Sequence, residues 1–272
     1  MSDASQATEF SDLTDLAERL AREAGALVVA MATEARLDPT TKSSVTDVVT
    51  AADRASEQLI TAGILAARPE DGVLGEEGTS HTGSNGVEWH IDPIDGTTNY
   101  VYGIGAYSVS IAAAVDTNIV AGAVFDPSTE ELFRATHGGG AWCNGSPISC
   151  RQHTDLATAL VATGFGYRPE LRAEQGKILA CLLPSIRDIR RIGSAALDLC
   201  AVAAGRVDAY YEHDLNRWDL AAGALIAREA GATVGNLQGG EADERFLLAA
   251  APGLFESLRE ALVDFGAHLP TD

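Results

Sequence analysis

Trp89-His90-Ile91-Asp92-Pro93-Ile94-Asp95-Gly96-Thr97-Thr98-Asn99-Tyr100 joins an apolar, strand-like run to two carboxylates, a Pro/Gly turn and a hydroxyl-rich segment. Read as a strand end followed by a turn, the stretch places chemistry at the end of a strand. Asp92 and Asp95 flank Pro93, whose fixed φ and missing N–H end regular pairing and help turn both carboxylates toward one pocket. Two such carboxylates repel unless a cation lies between them. Hard cations such as Mg²⁺ take oxygen ligands octahedrally at roughly 2.0–2.1 Å, keep several waters and bind substrate phosphate. The stretch therefore reads as a metal-phosphate site, set against the plainer reading of Asp92 to Gly96 as a surface turn, for which Asp, Pro and Gly have local backbone reasons.

Two other segments favour the metal reading. Gly75-Glu76-Glu77-Gly78 follows the short apolar run Gly72-Val73-Leu74 and offers a third acid at a strand end. Far downstream, Asn216-Arg217-Trp218-Asp219 places another acid ahead of a helical run from Leu220 to Ala230. Alone, Asp219 is accounted for as an N-terminal helix charge favoured by the macrodipole.

Working outward, apolar residues at helical spacing predict helices over Asp12 to Thr33 and Ala51 to Ala67, the second carrying Asp53 near its start. Alternation then predicts strands at Val87 to Ile91, Ala106 to Val115, Ile119 to Phe125 and Glu131 to Ala135, a largely antiparallel meander. His137-Gly138-Gly139-Gly140-Ala141-Trp142 lacks the Lys-Ser/Thr ending of a P-loop and reads as a tight turn between strands. After a shift near Cys150 to Thr154, strand and helix alternate: Ala159 to Thr163, Leu171 to Leu183, Arg187 to Arg191, Ser194 to Ala204, Val207 to Tyr211, Leu220 to Ala230, Phe246 to Ala250 and Pro252 to Phe265. That is an α/β pattern. The expected organisation is an α+β half over residues 1–150 and an α/β half over 151–272, closely packed. Ser194, just ahead of its helix, is expected to be an N-cap.

At 272 residues the chain has ample length for a well-buried core. Its net charge of −20, from 39 acidic against 19 basic residues, argues against nucleic-acid binding, which relies on basic patches. It does not argue against a phosphorylated substrate, because bound metal ions dominate the local field and turn an acidic cluster into an anion receptor. Cys143, Cys150, Cys181 and Cys200 lie far apart with no C-x-x-C pair and match no common zinc spacing, so they read as reduced thiols. Residues 1–6 lack a basic n-region and an apolar h-region, and no apolar run approaches the roughly 18 residues of a membrane span. The expectation is a cytoplasmic protein with no membrane partner.

Taken together, Lys42-Ser43-Ser44, Thr46 through Asp53, Gly75-Glu76-Glu77, Trp89 through Asn99, Gly193-Ser194-Ala195-Ala196 and Trp218-Asp219 resemble the inositol monophosphatase family. This is a lithium-sensitive, Mg²⁺-dependent sugar-phosphatase superfamily that also contains fructose-1,6-bisphosphatases, with a layered αβαβα fold. The resemblance implies a first metal held by Glu76, Asp92 and the backbone carbonyl of Ile94, and a second held by Asp92, Asp95 and Asp219. A third, largely water-coordinated ion would sit near Glu76, giving two to three Mg²⁺ per site. Thr97 and Asp53 would orient and deprotonate a water, and Gly96, Thr97 and Thr98 would offer backbone N–H groups to the phosphate, as helix starts do. Gly193, Ser194, Ala195, Glu212 and Asn216 would face the polyol, and Lys42 would be peripheral, on a loop over the site. Asn216 stands where animal members have histidine, and Gly164-Phe165-Gly166-Tyr167 replaces their serine-containing loop.

The implied activity is hydrolysis of a small polyol or sugar phosphate, with myo-inositol 1-phosphate first and histidinol phosphate or fructose 1,6-bisphosphate as alternatives. Some bacterial members are partners of RNA or transcription machinery, so a binding role stands as the alternative from another class. The family also implies a homodimer.

Overall fold

The computed structural model of the chain describes residues 10–35, 40–41 and 48–267. Lys42 and its neighbours through Asp47 lie outside the described residues.

Helix α1 (Ser11–Ala35) buries Leu13, Leu16, Ala17, Leu20, Ala21, Ala24 and Val28, three and four residues apart along one face. A short pairing of β1 (Thr40–Thr41) with β2 (Val48–Val49) precedes helix α2 (Ala51–Ala67). A reciprocal cap starts α2: the Thr50 hydroxyl accepts the N–H groups of Ala52 and Asp53, while the Asp53 carboxylate accepts the Thr50 N–H at 2.8 Å. Next come β3 (Gly72–Gly75), β4 (Ser80–His81), β5 (Val87–Asp95), the short helix α3 (Thr97–Tyr102), β6 (Ser108–Val115), β7 (Asn118–Asp126), β8 (Glu131–Thr136), β9 (Ala141–Cys143) and β10 (Ser146–Ile148). They form an eight-stranded sheet ordered β10-β9-β8-β7-β6-β5-β3-β4, antiparallel except for β3 beside β5.

The chain continues through β11 (Leu160–Thr163), α4 (Pro169–Leu182), β12 (Asp188–Arg190), α5 (Ala195–Ala203), β13 (Ala209–His213), α6 (Arg217–Glu229), β14 (Thr233–Gly235), β15 (Phe246–Ala250) and α7 (Phe255–Asp264). Their five strands form a mixed sheet ordered β12-β11-β13-β15-β14. Helices α1 and α2 cover one face of the large sheet, burying Trp89, Ile91 and Ile111. Helices α5 and α6 are sandwiched between the two sheets, touching Val124 and Phe133 on one side and Tyr210 and Leu247 on the other. Helices α4 and α7 close the outer face of the small sheet. The result is a five-layer αβαβα stack, as the family resemblance implied.

The meander, the helices and the turn around Gly139 fall where the alternation put them, with edges shifted by a few residues. Three details differ. Pro93 interrupts pairing rather than ending it: the register slips between Asp92 and Asp95, and Asp95 pairs again, opposite Ser108. Strand β6 starts at Ser108 rather than Ala106, because Ala106 sits at φ 71°, outside strand geometry. The short strands β4, β9, β10 and β14 went unexpected, since two or three residues carry no readable alternation.

The central layer needs small residues. A Cβ on Gly122 would stand 3.1 Å from the Ala222 backbone, and one on Gly223 only 2.8 Å from the Leu199 side chain, so β7, α6 and α5 meet at glycine contacts. Gly223→Val should lower stability by about 1–3 kcal/mol through overpacking. By contrast, Gly176→Ala on α4, where a Cβ meets nothing within 4 Å, should raise it by about 0.4–1 kcal/mol. Denaturant melts of the two variants check both signs.

Candidate active site

Helix α2 is the bracket on which the site is built. Its core-facing side begins with polar residues, Asp53, Ser56 and Glu57, and continues with Ile60 and Ile64, all buried. The Ser56 hydroxyl donates to the Pro93 carbonyl at 3.1 Å. Glu57 accepts the N–H groups of Glu77 at 2.7 Å and Thr79 at 3.0 Å, and its carboxylate lies so close to Gly75 that any Cβ there would come within 2.4 Å. One helix face therefore holds both turns that carry acids, the Glu76 turn and the Asp92–Asp95 turn. Glu57 was missed in the sequence, although it lies one helical turn beyond Asp53 on the same face.

At the end of β5, Asp92 accepts the N–H of Ile94 at 3.0 Å, bridging Pro93. Thr97 stands 2.9 Å from the Ile94 carbonyl and 3.0 Å from Asp53 Oδ1. One hydroxyl proton cannot serve both acceptors at once, so the second contact takes its proton from Asp53 whenever that carboxyl is neutral. Asp95 receives three donors from the start of α5: the Ser194 hydroxyl at 2.6 Å, Ala196 N–H at 2.7 Å and Ala195 N–H at 3.3 Å. Ser194 also caps α5, accepting Leu197 N–H at 3.2 Å. Asp219, third residue of α6, accepts the Asn216 N–H at 2.7 Å, so it is a helix-start acid as well as a site residue.

These elements converge on a cavity of about 320 Å³. Glu76, Asp92, Ile94, Asp95, Gly96, Thr97, Gly193, Ser194, Ala195, Glu212, Asn216 and Asp219 all line it. Asp53 does not, reaching the wall only through Thr97; Thr98 is exposed and outside the lining, and Lys42 lies outside the described residues. The loop Gly164–Tyr167 forms the opposite rim with Arg168 and Arg191. Gly164 is there for a steric reason, since a Cβ would fall 1.8 Å from the Glu212 carboxylate.

The electrostatics are those of crowded acids. Burial and the charges of Glu76, Asp95 and Asp219 push the Asp92 carboxyl well above the usual range. Burial, Glu76 and Asp95 do the same to Asp219. Asp95 rises to about 6 by burial, held back by Ser194 and Ala196, and Asp53 rises mainly by burial. Glu212 rises to about 7 by burial, against the pull of the Tyr210 hydroxyl and Arg191. Among the described residues, no three acid, histidine or cysteine side chains are gathered closely enough to chelate an ion. Asp92, Asp95 and Asp219 are turned onto backbone or hydroxyl donors instead. The shared wall and the mutual repulsion nonetheless define a surface that a hard cation would stabilise. Its donors are carboxylate oxygens and the Ile94 carbonyl, a set suited to Mg²⁺, Mn²⁺ or Ca²⁺.

Comparison with known proteins agrees. The profile of the Inositol monophosphatase family matches residues 9–265. The chain belongs to this family. It is accordingly a phosphatase, and the inositol monophosphatase family is metal-dependent. The inositol-1-monophosphatase SuhB of Mycobacterium tuberculosis H37Rv is 45% identical, covering 96% of this chain and 97% of its own. The Nus factor SuhB of Pasteurella multocida is 41% identical over 92% of this chain and 95% of its own. Among solved structures, the extragenic suppressor protein suhB from Bartonella henselae superposes with a TM-score of 0.88 at 34% identity, covering 92% of this chain and 98% of that one.

The raised carboxyls fix a pH dependence for this phosphatase. Asp95 near 6 and Glu212 near 7 bind protons that an unfolded carboxyl, near 4, has released, so folding binds protons between about pH 4 and 7. Stability contributed by these groups is present below about pH 4 and is lost as pH rises through 6 to 7. In chelator, the protein should melt higher at pH 5 than at pH 7.5. Glu212→Gln should flatten that slope, and a divalent cation should restore the melting temperature at pH 7.5 but not at pH 5. Thermal melts across pH read all three.

Proposed function

We propose that the chain is a Mg²⁺-dependent phosphomonoesterase acting on a small polyol or sugar phosphate, with myo-inositol 1-phosphate the first substrate. One observation carries this reading: Glu76, the β5 pair Asp92 and Asp95, and Asp219 of α6 face one cavity, whose wall also includes Thr97 backed by Asp53. Glu76, Asp92, Asp95, Asp219 and the Ile94 carbonyl would hold two to three Mg²⁺. Bound there, the metal supplies charge neutralisation for the phosphate and a lowered pKa for a water. The chain's own residues do the rest. Thr97 orients a water over the phosphorus, and Asp53, whose carboxyl burial makes more basic, receives the proton. Gly96, Thr97 and Thr98 present backbone N–H groups to the phosphate, with Lys42 peripheral. Gly193, Ser194, Ala195, Glu212 and Asn216 take the polyol, whose leaving oxygen needs charge stabilisation more than covalent help.

The name inositol-1-monophosphatase SuhB on a 45% identical relative supports the inositol ester over histidinol phosphate and fructose 1,6-bisphosphate. The name Nus factor SuhB on another relative keeps a role beside transcription machinery as the second reading. A net charge of −20 favours a protein partner over direct nucleic-acid contact there.

We also propose two packed halves, 1–150 bringing Glu76, Asp92 and Asp95 and 151–272 bringing Glu212 and Asp219. A homodimer finds support in the exposed Tyr102 and Ile104, 76% and 56% accessible at the end of α3. The four free cysteines support a cytoplasmic location. No described helix is long and apolar enough to cross a membrane.

Phosphate release from myo-inositol 1-phosphate, histidinol phosphate and fructose 1,6-bisphosphate, with and without Mg²⁺, tests the reading. Turnover should need Mg²⁺, favour the inositol ester and fall about 10³-fold or more in Asp92→Asn. Turnover that survives chelation or the Asp92→Asn change would overturn it.

A further inference from the structure

Glu229 is the last residue of α6, where the helix dipole disfavours a carboxylate, and its side chain is only 14% exposed. Its partners lie on the β8–β9 turn: the Gly138 N–H donates to Oε1 and the Gly140 N–H to Oε2, each at 2.9 Å. His137 Nδ1 stands 3.7 Å from the same Oε1. Gly138 and Gly140 have φ +70° and +75°, a left-handed conformation that lets the turn aim both backbone donors at one anion. The glycine-rich turn is therefore an anion nest whose occupant is the chain's own carboxylate. It ties the far end of α6 to the large sheet.

The near end of the same helix carries Asp219. There the tie to the sheet is Ser110, which stands opposite Asp92 in the β5–β6 ladder and donates to the Trp218 carbonyl at 3.4 Å. Between the two ends, α6 crosses β7 at backbone contact, a Cβ on Gly122 standing 3.1 Å from the Ala222 backbone. A crossing between a glycine and an alanine has no long side chain to stop the helix from rocking. Ala222 lies three residues beyond Asp219, about 4.5 Å along the axis, and Glu229 about 10 Å further on. The helix is thus a lever with its fulcrum near Ala222, Asp219 on the short arm and Glu229 on the long one. A small tilt matters at Asp219, because Mg²⁺ demands near-ideal octahedral geometry at roughly 2.0–2.1 Å.

We infer that Glu229 is a positioning residue for the cation site: the β8–β9 nest clamps the long arm of α6 and so sets where Asp219 stands against Asp92 and Asp95. This rests on the metal-dependent reading above. It assigns Glu229 no contact with metal or substrate.

Mn²⁺ titrations followed by the paramagnetic resonance of the free ion test it, because they give sites and affinities without turnover. Asp219→Asn first marks the site that Asp219 serves, as the one it abolishes. In Glu229→Ala the affinity of that same site should fall about threefold or more, short of the roughly 10–100-fold loss on removing a ligand's direct partner, while the other sites keep theirs. The bond from Cys150 N–H to the Ala230 carbonyl at 2.9 Å and the buried apolar residues of α6 remain to hold the variant folded. Glu229→Gln, which leaves the nest one acceptor oxygen, should fall in between, and it carries the test alone if Glu229→Ala unfolds. An unchanged affinity at the Asp219 site would overturn the inference, as would equal weakening of every site, which would make Glu229 a structural residue. Wild-type protein that binds no Mn²⁺, or binding untouched by Asp219→Asn, would instead overturn the metal reading, and this inference with it.

Discussion

Repulsion among carboxylates crowded onto one cavity wall is the constraint around which the molecule is arranged. Asp92 and Asp95 sit three residues apart at the end of one strand, and Glu76 and Asp219 are brought against them from other elements. Left alone, such a group resists closure of the fold at neutral pH, and burial, reinforced by this repulsion, pushes the Asp92 and Asp219 carboxyls well above their ordinary range. Each is tied down by local donors: the Ile94 N–H on Asp92, the α5 start on Asp95 and the Asn216 N–H on Asp219. Those bonds hold the charges in place without neutralising them. The site is in this sense built for an outside positive charge.

The layers explain how this is sustained. Trp89 and Ile91, buried between the large sheet and α1, anchor the strand that carries Asp92, and the Asp71 carboxylate takes the Trp89 indole N–H at 2.8 Å. Helix α2 spends its first turns on the acid-bearing turns and its later turns on the core, so packing energy on one half of the helix holds polar groups on the other. Helices α5 and α6, packed at glycine contacts between two sheets, deliver Ser194 and Asp219 to the same cavity from the opposite side. A shift of either layer would separate the acids contributed by the two sheets.

Much of this was legible in the sequence where the physics is local. The Asp92–Thr98 turn and the Ser194 cap are set by residues within a few positions of one another, and the apolar spacing of α2 and the alternation between β6 and β8 are long enough to read. What escaped depends on contacts distant in sequence. Glu57 gains its meaning only when the Gly75–Thr79 turn is laid against α2, and the need for glycine at 164 only when that loop is laid against Glu212. Short strands such as β9 and β14 exist because a longer neighbour recruits them. Asp219 carried both meanings at once, as helix-start charge and as cavity wall, and no sequence argument could separate them because both hold.

The central claim is that this carboxylate wall is a cation site. Its most direct test is anomalous scattering from crystals grown with Mn²⁺, an oxygen-seeking ion that also scatters strongly. The account predicts anomalous peaks against Glu76, Asp92, Asp95 and Asp219, and their loss in Asp92→Asn crystals under the same conditions. A wall with no peak at saturating Mn²⁺, or a peak elsewhere that ignores the Asp92 change, would contradict it.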